Sequence, residues 1–295
     1  MHSGHDRITT VLVTVRQAAR RAVPGVASRA RRIEGPLQES PDRDEATGSG
    51  HADQVLLPHE CRSGDHALAG VGELGPFFRV QARPEPGWTS WAALCADHEV
   101  LRRRAAEVHG ALAARIGLPL IAPAVVASVT QLGLVARLLA PVLGAAALYD
   151  VLPVAPAEGV RMHLCGANPL PMALDVAAAV TVAAPADLAT ALHRHWLTPA
   201  VEPLTRAVRA SWSVSPRVLG GNAASAIAGA LRMVATARPE LTRRAEVLLD
   251  ALLQGPLTGT GGRREDGSFQ RRSCCLFYRL PGAGTCADCV LADRR

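Results

Sequence analysis

The chain has 295 residues, of which 48% are hydrophobic and 3% aromatic, and its formal net charge is +6. This length allows one large or two modest domains with a buried core. The positive charge forms no long stripe and few aromatic residues are present to stack on bases, so we predict no nucleic-acid partner.

Residues 1–68 are predicted to form a disordered N-terminal extension. The first 33 residues are basic, and the following segment is acidic and rich in turn-forming residues. Such a polar segment cannot bury enough apolar surface to offset the entropy lost on ordering. His59, Cys61 and His66 lie here without a second chelating pair, so we interpret them as solvated residues rather than a metal site.

Residues 69–254 are predicted to form a mostly helical domain with a small antiparallel β element, an α+β fold. Apolar residues at helical spacing predict helices at 89–116, 124–140, 186–197, 200–212, 216–237 and 239–253. Pro141 is expected to stop or kink the second of these. Between 145 and 182, short apolar runs separated by Pro, Gly and Asn predict the antiparallel sheet.

Several polar or reactive side chains in this domain have a structural interpretation. Residues 102–104, three consecutive arginines, are expected on a solvated helix face. Arg137 is the lone charge in a long apolar stretch and is expected to pair with an acid such as Asp150. The alternative is that it faces a ligand pocket. Cys95 and Cys165 are predicted to be small core residues, and the four tryptophans are expected to pack in the core.

The uncharged stretch 116–136 is long enough to span a membrane. It contains two prolines and several polar residues, and its apolar residues recur at helical spacing, which favours a buried helix. We therefore predict no transmembrane segment. The apolar run at 8–15 is followed by arginines where an export signal would need a neutral cleavage region, so we predict a cytoplasmic protein.

The strongest functional signal is a CC-x10-C-x2-C motif in a short tail, residues 255–295. A [2Fe–2S] cluster requires four thiolates, two on each iron, and the spacing does not say which cysteine binds which iron. Pro281, Gly282 and Gly284 predict a turn that returns the second cysteine pair to the first. The candidate ligands are Cys274, Cys275, Cys286 and Cys289.

Three other interpretations of these thiols remain open. A four-cysteine zinc site normally uses C-x2–4-C on both sides, and the adjacent pair here departs from that spacing. Disulfides would require a strained bond between neighbours or a pairing that the sequence does not reveal. Free buried thiols are the third alternative. Thiolate ligands in any case indicate a reducing compartment.

The text RRSCCLFYRLPGAGTCADCVL closely resembles the C-terminal [2Fe–2S] domain of the ferric-siderophore reductase family, the FhuF-like proteins. Segments at 75–80, 131–141 and 215–229 also resemble the family's helical domain. The resemblance implies that the four cysteines hold a [2Fe–2S] cluster. It further implies one-electron reduction of ferric siderophores, of hydroxamate or catecholate type, with release of ferrous iron in the cytosol.

The source of electrons and the class of protein stay open at this point. The GxGxxG sequence at Gly70–Gly75 has no strand before it, and the chain has no lysine for a phosphate-binding loop, so we predict no nucleotide site. Electrons are then expected from a separate donor such as a ferredoxin or a flavin reductase. The alternative is a non-catalytic iron–sulfur protein: an electron carrier, a redox or iron sensor, or a siderophore-biosynthesis accessory protein.

Overall fold

The computed structural model describes residues 58–292, with side chains from residue 64 onward. It confirms the predicted fold class, because helices predominate and the strands form small antiparallel sheets. The helices are α1 Pro58–Val71, α2 Trp91–Ala96, α3 His98–Ile116, α4 Pro123–Tyr149, α5 Pro185–Leu192, α6 Glu202–Ser211, α7 Pro216–Ala237 and α8 Thr242–Gln254.

Seven short strands accompany these helices. One sheet has the order β1–β3–β4, a second pairs β2 with β5, and a third pairs β6 with β7; all strand pairs are antiparallel. Strands β2 to β5 lie in the region where the sequence predicts a small sheet, whereas β1 lies at the start of the predicted helix 89–116. The strands are β1 Thr89–Ser90, β2 Val151–Val154, β3 Val160–Met162, β4 Met172–Leu174, β5 Ala178–Thr181, β6 Gly261–Arg263 and β7 Phe269–Arg271.

The core is centred on α4, which is buried along most of its length and makes its most extensive contact with α7. Both helices begin with a proline in the first turn, where the missing N–H is not needed. Pro141 does not end this helix, as the sequence suggested it could, because α4 continues to Tyr149. Packing of Pro141 inside the core supports the helix beyond it.

Helix boundaries differ from the predicted ones in two places. The predicted helix 89–116 is divided at Asp97, whose carboxylate accepts from the backbone N–H groups of Glu99 and Val100 and starts α3. The predicted helices at 186–197 and 200–212 are joined by a π-helical segment, His193–Val201, that contains Pro199.

Helix α1 crosses the boundary predicted at residue 68. Ala67 and Leu68 are buried in the main core, so the folded region starts before residue 69. A short amphipathic helix after a polar stretch was missed because its apolar face has only a few residues. The disorder predicted for residues 1–57 and the side chains of His59 and Cys61 lie outside the described residues, and His66 is exposed.

Two helices, α4 and α7, are long and apolar enough to cross a membrane. Most of each is buried inside the protein, as core helices of globular proteins also are.

Among the tryptophans, Trp88, Trp91 and Trp196 are buried as predicted, and the last two donate their indole N–H groups to backbone carbonyls. Cys95 is half-buried, whereas the prediction for Cys165 is wrong because this thiol is exposed in a loop.

No carboxylate among residues 58–292 pairs with Arg137, so the predicted pairing with Asp150 is wrong. Its guanidinium is buried and donates to the backbone carbonyls of Leu170, Phe77 and Arg79. Asp150 instead pairs with Arg244. Burial lowers the pKa of Arg137 to about 10, which still leaves the side chain charged near neutral pH. Arg137 thus joins two connecting segments to α4.

Replacing Arg137 with methionine is expected to lower the free energy of unfolding by about 3 kcal/mol, because three buried carbonyls each lose a donor. Chemical denaturation monitored by circular dichroism measures this. The control is Arg102→Met, an exposed arginine on α3 for which we expect a change within about 0.5 kcal/mol. A loss at Arg137 no larger than that of the control would contradict the structural role.

Candidate metal centre

The cysteine segment starts from a short hairpin. Residues 255–260 form hydrogen-bonded turns, and β6 then pairs with β7. The backbone N–H of Arg272 donates to the carbonyl of Thr260, and that of Arg271 donates to the carbonyl of Asp288. The hairpin therefore fixes both ends of the cysteine loop.

The backbone bends directly after the adjacent cysteine pair. Leu276 has a φ of 69°, a left-handed conformation that is unfavourable for leucine, and a single 3-10 turn follows at Phe277–Arg279. Gly282 and Gly284 also have positive φ, which glycine adopts without strain. These bends form the predicted turn and return Cys286 to the side of Cys275.

Two of the four sulfurs are in contact. The Sγ atoms of Cys275 and Cys286 are 3.5 Å apart, and both side chains are buried. Two sulfurs bound at about 2.3 Å to one tetrahedral metal lie about 3.8 Å apart. The observed separation is close to that value and well beyond the roughly 2.05 Å of a disulfide. The hydrogen bond between the thiols lowers the pKa of Cys275 and raises that of Cys286.

Backbone N–H groups point at the sulfurs. Leu276 N–H donates to Cys274 Sγ and Leu291 N–H to Cys289 Sγ, each with an N–S distance of 3.3 Å. The N–H of Phe277 also hydrogen bonds to Cys275 and lowers the pKa of that thiol. Such donors stabilise the thiolate form, which is the form that binds metal. Desolvation is the larger effect at half-buried Cys274 and raises its pKa.

A buried hydrogen-bond network ties the cysteine segment to the two central helices. Ser128 Oγ on α4 donates to the carbonyl of Cys275 at 2.8 Å, and Asn222 Nδ2 on α7 donates to Ser128 Oγ at 3.1 Å. Arg271 Nη2 then donates to Asn222 Oδ1 at 2.7 Å. All three anchoring side chains are buried. The position of Cys275 is thus set by side chains from α4, α7 and β7.

The second cysteine pair is attached to the same helix. Ser225 on α7 hydrogen bonds to the Asp288 carboxylate, between Cys286 and Cys289. The Cys289 carbonyl accepts from Arg264 Nη2 at 3.2 Å. The Asp288 charge raises the pKa of Cys286, in the opposite sense to the effect of Arg271 on Cys275. Both halves of the motif therefore rest on α7.

Gly221 allows the cysteine segment to approach α7 closely. A Cβ atom at this position would lie 2.1 Å from Ser273 Oγ and 2.9 Å from Arg271 Nη2. Any side chain at this position would have to displace the side chains of Ser273 and Arg271, which pack against the helix here. A glycine inside α7 costs helix stability, and here it is explained by this contact.

A cavity of about 820 Å³ extends from this centre into the helical domain. Its walls come from α3, α4, α7 and α8 and are mainly apolar, and Cys275 and Cys286 form part of its surface. Among the described residues, five buried polar atoms that belong to residues lining this cavity have no hydrogen-bond partner. They are Arg104 Nε, Thr130 Oγ1, Asn168 Oδ1, Arg271 Nε and Arg271 Nη1.

The donor set of the centre fits an iron–sulfur cluster. Four thiols lie in one short segment, three of them are buried, and the sulfurs receive backbone hydrogen bonds. A [2Fe–2S] cluster needs two thiolates on each iron, and Cys275 and Cys286 already have the spacing of one such pair. Within residues 58–292, no group of three or more His, Cys, Asp or Glu side chains is placed around a single metal ion.

Residues 271–291 match the FhuF 2Fe-2S C-terminal domain. This match indicates a [2Fe–2S] cluster and supports an iron–sulfur protein of siderophore iron utilisation, consistent with an FhuF-like family. No curated protein matches the chain. The FhuF-type segment contains all four cysteines that the sequence singles out.

Several residues around the FhuF-type segment were not predicted from the sequence. Arg104, expected on a solvated face, is buried and donates to the carbonyls of Leu164 and Gly166. Ser128 and Asn222 were overlooked as well. Each is a polar residue inside an alanine-rich apolar helix, a signal that could have identified them. The long-range contacts that give them a role were not readable from spacing.

Proposed function

We propose that this protein is a cytoplasmic ferric-siderophore reductase in which Cys274, Cys275, Cys286 and Cys289 hold the [2Fe–2S] cluster. The cavity beside them binds the ferric chelate. The observation that carries the proposal is the shared wall: two of the four cysteines form part of the surface of the large cavity. A chelate bound there is adjacent to the redox centre.

The cavity has the properties of a ligand site. Its volume of about 820 Å³ lies within the range of roughly 300–1,000 Å³ that is typical of small-molecule pockets. Arg104 and Arg271 line the cavity and carry buried donors that have no partner within residues 58–292, and such donors are costly unless a ligand satisfies them. An oxygen-rich chelate with an apolar periphery supplies acceptors for these donors and contacts for the walls.

The chemistry depends on the difference between the two oxidation states of iron. Ferric iron is hard and is held tightly by the oxygens of hydroxamates or catecholates, whereas ferrous iron is softer and held more weakly. The bound cluster supplies one electron, taken in turn from a separate donor such as a ferredoxin or flavin reductase. The chain's residues orient the chelate, exclude water and keep it next to Cys275 and Cys286.

Filling the cavity tests the proposal without touching the cluster segment. Gly229 on α7 lines the cavity, and a Cβ added there meets no heavy atom within 4 Å. We expect Gly229→Leu to raise the KM for a ferric trihydroxamate or triscatecholate about tenfold or more, since 1.4 kcal/mol of lost contact has this effect. Anaerobic capture of ferrous iron by a coloured chelator follows the reaction.

Gly110→Leu provides the matched control. Gly110 lies in helix α3, is exposed, does not line the cavity, and also has open space for a Cβ. Both substitutions exchange a helical glycine for leucine and should increase helix stability similarly. Gly110→Leu should keep the parent KM, and both variants should keep the cluster spectrum.

The outcomes separate the parts of the proposal. Equal KM values for Gly229→Leu and the parent would show that the chelate binds elsewhere. A loaded parent protein that passes electrons to partner proteins but shows no saturable reduction of ferric chelates would be a carrier, which refutes the reductase function.

A further inference from the structure

The arrangement of the four sulfurs indicates which cysteines bind which of the two irons. This inference rests on the proposed function, in which all four cysteines are cluster ligands. Four cysteines can be divided into two pairs in three ways. The most local division joins Cys274 with Cys275 and Cys286 with Cys289, although the spacing itself does not say which cysteine binds which iron. The structure favours a different division.

The contact between Cys275 and Cys286 is the first argument. Their Sγ atoms, 3.5 Å apart, come from opposite halves of the motif and have nearly the separation of two ligands on one tetrahedral metal. Ser128 and Asn222 hold the backbone of Cys275 from the helical side. The contact therefore belongs to an anchored part of the segment.

The remaining two cysteines have matching surroundings. Cys274 and Cys289 each accept a backbone N–H from the residue two positions later, at the same N–S distance of 3.3 Å. Neither Cys274 nor Cys289 lines the large cavity, whereas Cys275 and Cys286 both do.

We propose that the irons are held in crossed pairs, one by Cys275 and Cys286 and the other by Cys274 and Cys289. The iron of the first pair is the one that faces the chelate cavity. Each pair then takes one sulfur from the CC half and one from the CxxC half of the motif. The cluster closes the loop between the halves, and its two irons are inequivalent.

Single serine substitutions test the pairing in the loaded protein, because a serine oxygen can replace a thiolate as ligand. In Mössbauer spectra of ⁵⁷Fe-loaded protein, Cys275→Ser and Cys286→Ser should change the same iron doublet, and Cys274→Ser and Cys289→Ser the other. Adding a redox-inert gallium(III) trihydroxamate to the parent protein should perturb the doublet that Cys275→Ser and Cys286→Ser change. Grouping of Cys286→Ser with Cys289→Ser, or with Cys274→Ser, would overturn the pairing. A gallium effect on the second doublet would overturn the orientation.

The cluster-free protein gives a second measurement that does not depend on loading of the serine variants. Mild oxidation with diamide should join the two sulfurs already closest, and trypsin, cutting at arginine, separates residues 273–279 from 280–294. We expect the main disulfide product to link these peptides through Cys275 and Cys286 in fragmentation spectra. A predominant Cys286–Cys289 or Cys274–Cys275 link would contradict the proposal. A loaded protein that fails to reduce ferric chelates would refute the reductase function, and the Mössbauer grouping would still decide the pairing.

Discussion

The variant Cys286→Ala is expected to lose the visible absorption of the cluster and to release no ferrous iron from ferric chelates above the rate of buffer alone. Alanine removes a buried sulfur that contacts Cys275 and supplies no other donor. One iron then keeps a single protein ligand instead of two, and a cluster with an open position is lost or decomposes. Absorption spectroscopy, iron and sulfide analysis and EPR after dithionite reduction measure the outcome.

Cys165→Ala is the matched control for this variant. Cys165 is an exposed thiol in a loop and does not line the large cavity, so we expect parent-like iron content and rate. A Cys286→Ala protein that keeps both the cluster signal and the parent rate would show that this cysteine is not a ligand. Zinc found in place of iron and sulfide in the parent would refute the assignment of the centre.

Arg271→Gln is expected to lower the reduction potential of the cluster. The guanidinium of Arg271 is 1% exposed, and no carboxylate among residues 58–292 pairs with it. Its positive charge favours the reduced, more negative state of a nearby cluster. A unit charge at such a site contributes roughly 2 kcal/mol at an effective dielectric constant of 20, so we expect a decrease of about 60–100 mV.

The exposed neighbour Arg272 supplies the control, because its charge is screened by water. We expect Arg272→Gln to change the potential by about 20 mV or less. Potentiometric titration followed by EPR compares the two variants. Equal shifts at both positions would mean that burial of Arg271 has no special electrostatic effect. The buried guanidinium donates to Asn222 Oδ1 but has no carboxylate partner within residues 58–292, which is unfavourable without an anion, so Arg271→Gln should also reduce the stability that cluster loading adds to the protein.

The sequence was sufficient to predict the helical fold class and a [2Fe–2S] cluster, for a physical reason. Helical spacing of apolar residues is a local property, and α7 was predicted with the bounds that the structure shows. The CC-x10-C-x2-C motif is also local, and turn residues such as Gly282 indicated that the chain reverses there. Chemistry encoded in one short segment can be read without the fold.

Interactions across the chain could not be read in this way. Arg104 and Arg137 are both buried, and their guanidinium groups donate to backbone carbonyls of segments distant in sequence. The residues next to each arginine in the sequence do not indicate these partners. The partner of Cys275 is eleven positions along the chain, and the contact depends on the left-handed bend at Leu276. Pairing and burial are properties of the three-dimensional packing, which spacing alone does not determine.

The cysteine segment depends on the helical domain for its apolar contacts. Cys275, Cys286 and Cys289 share one apolar cluster with Leu112 of α3 and Val125 of α4. An excised cysteine segment would expose to water the apolar side that packs on the helices, and a segment of about 40 residues offers little else to bury. The cysteine segment is therefore not expected to fold or bind a cluster when it is grafted alone onto another protein. Such a graft would also have to include the apolar residues of α3 and α4 that support it.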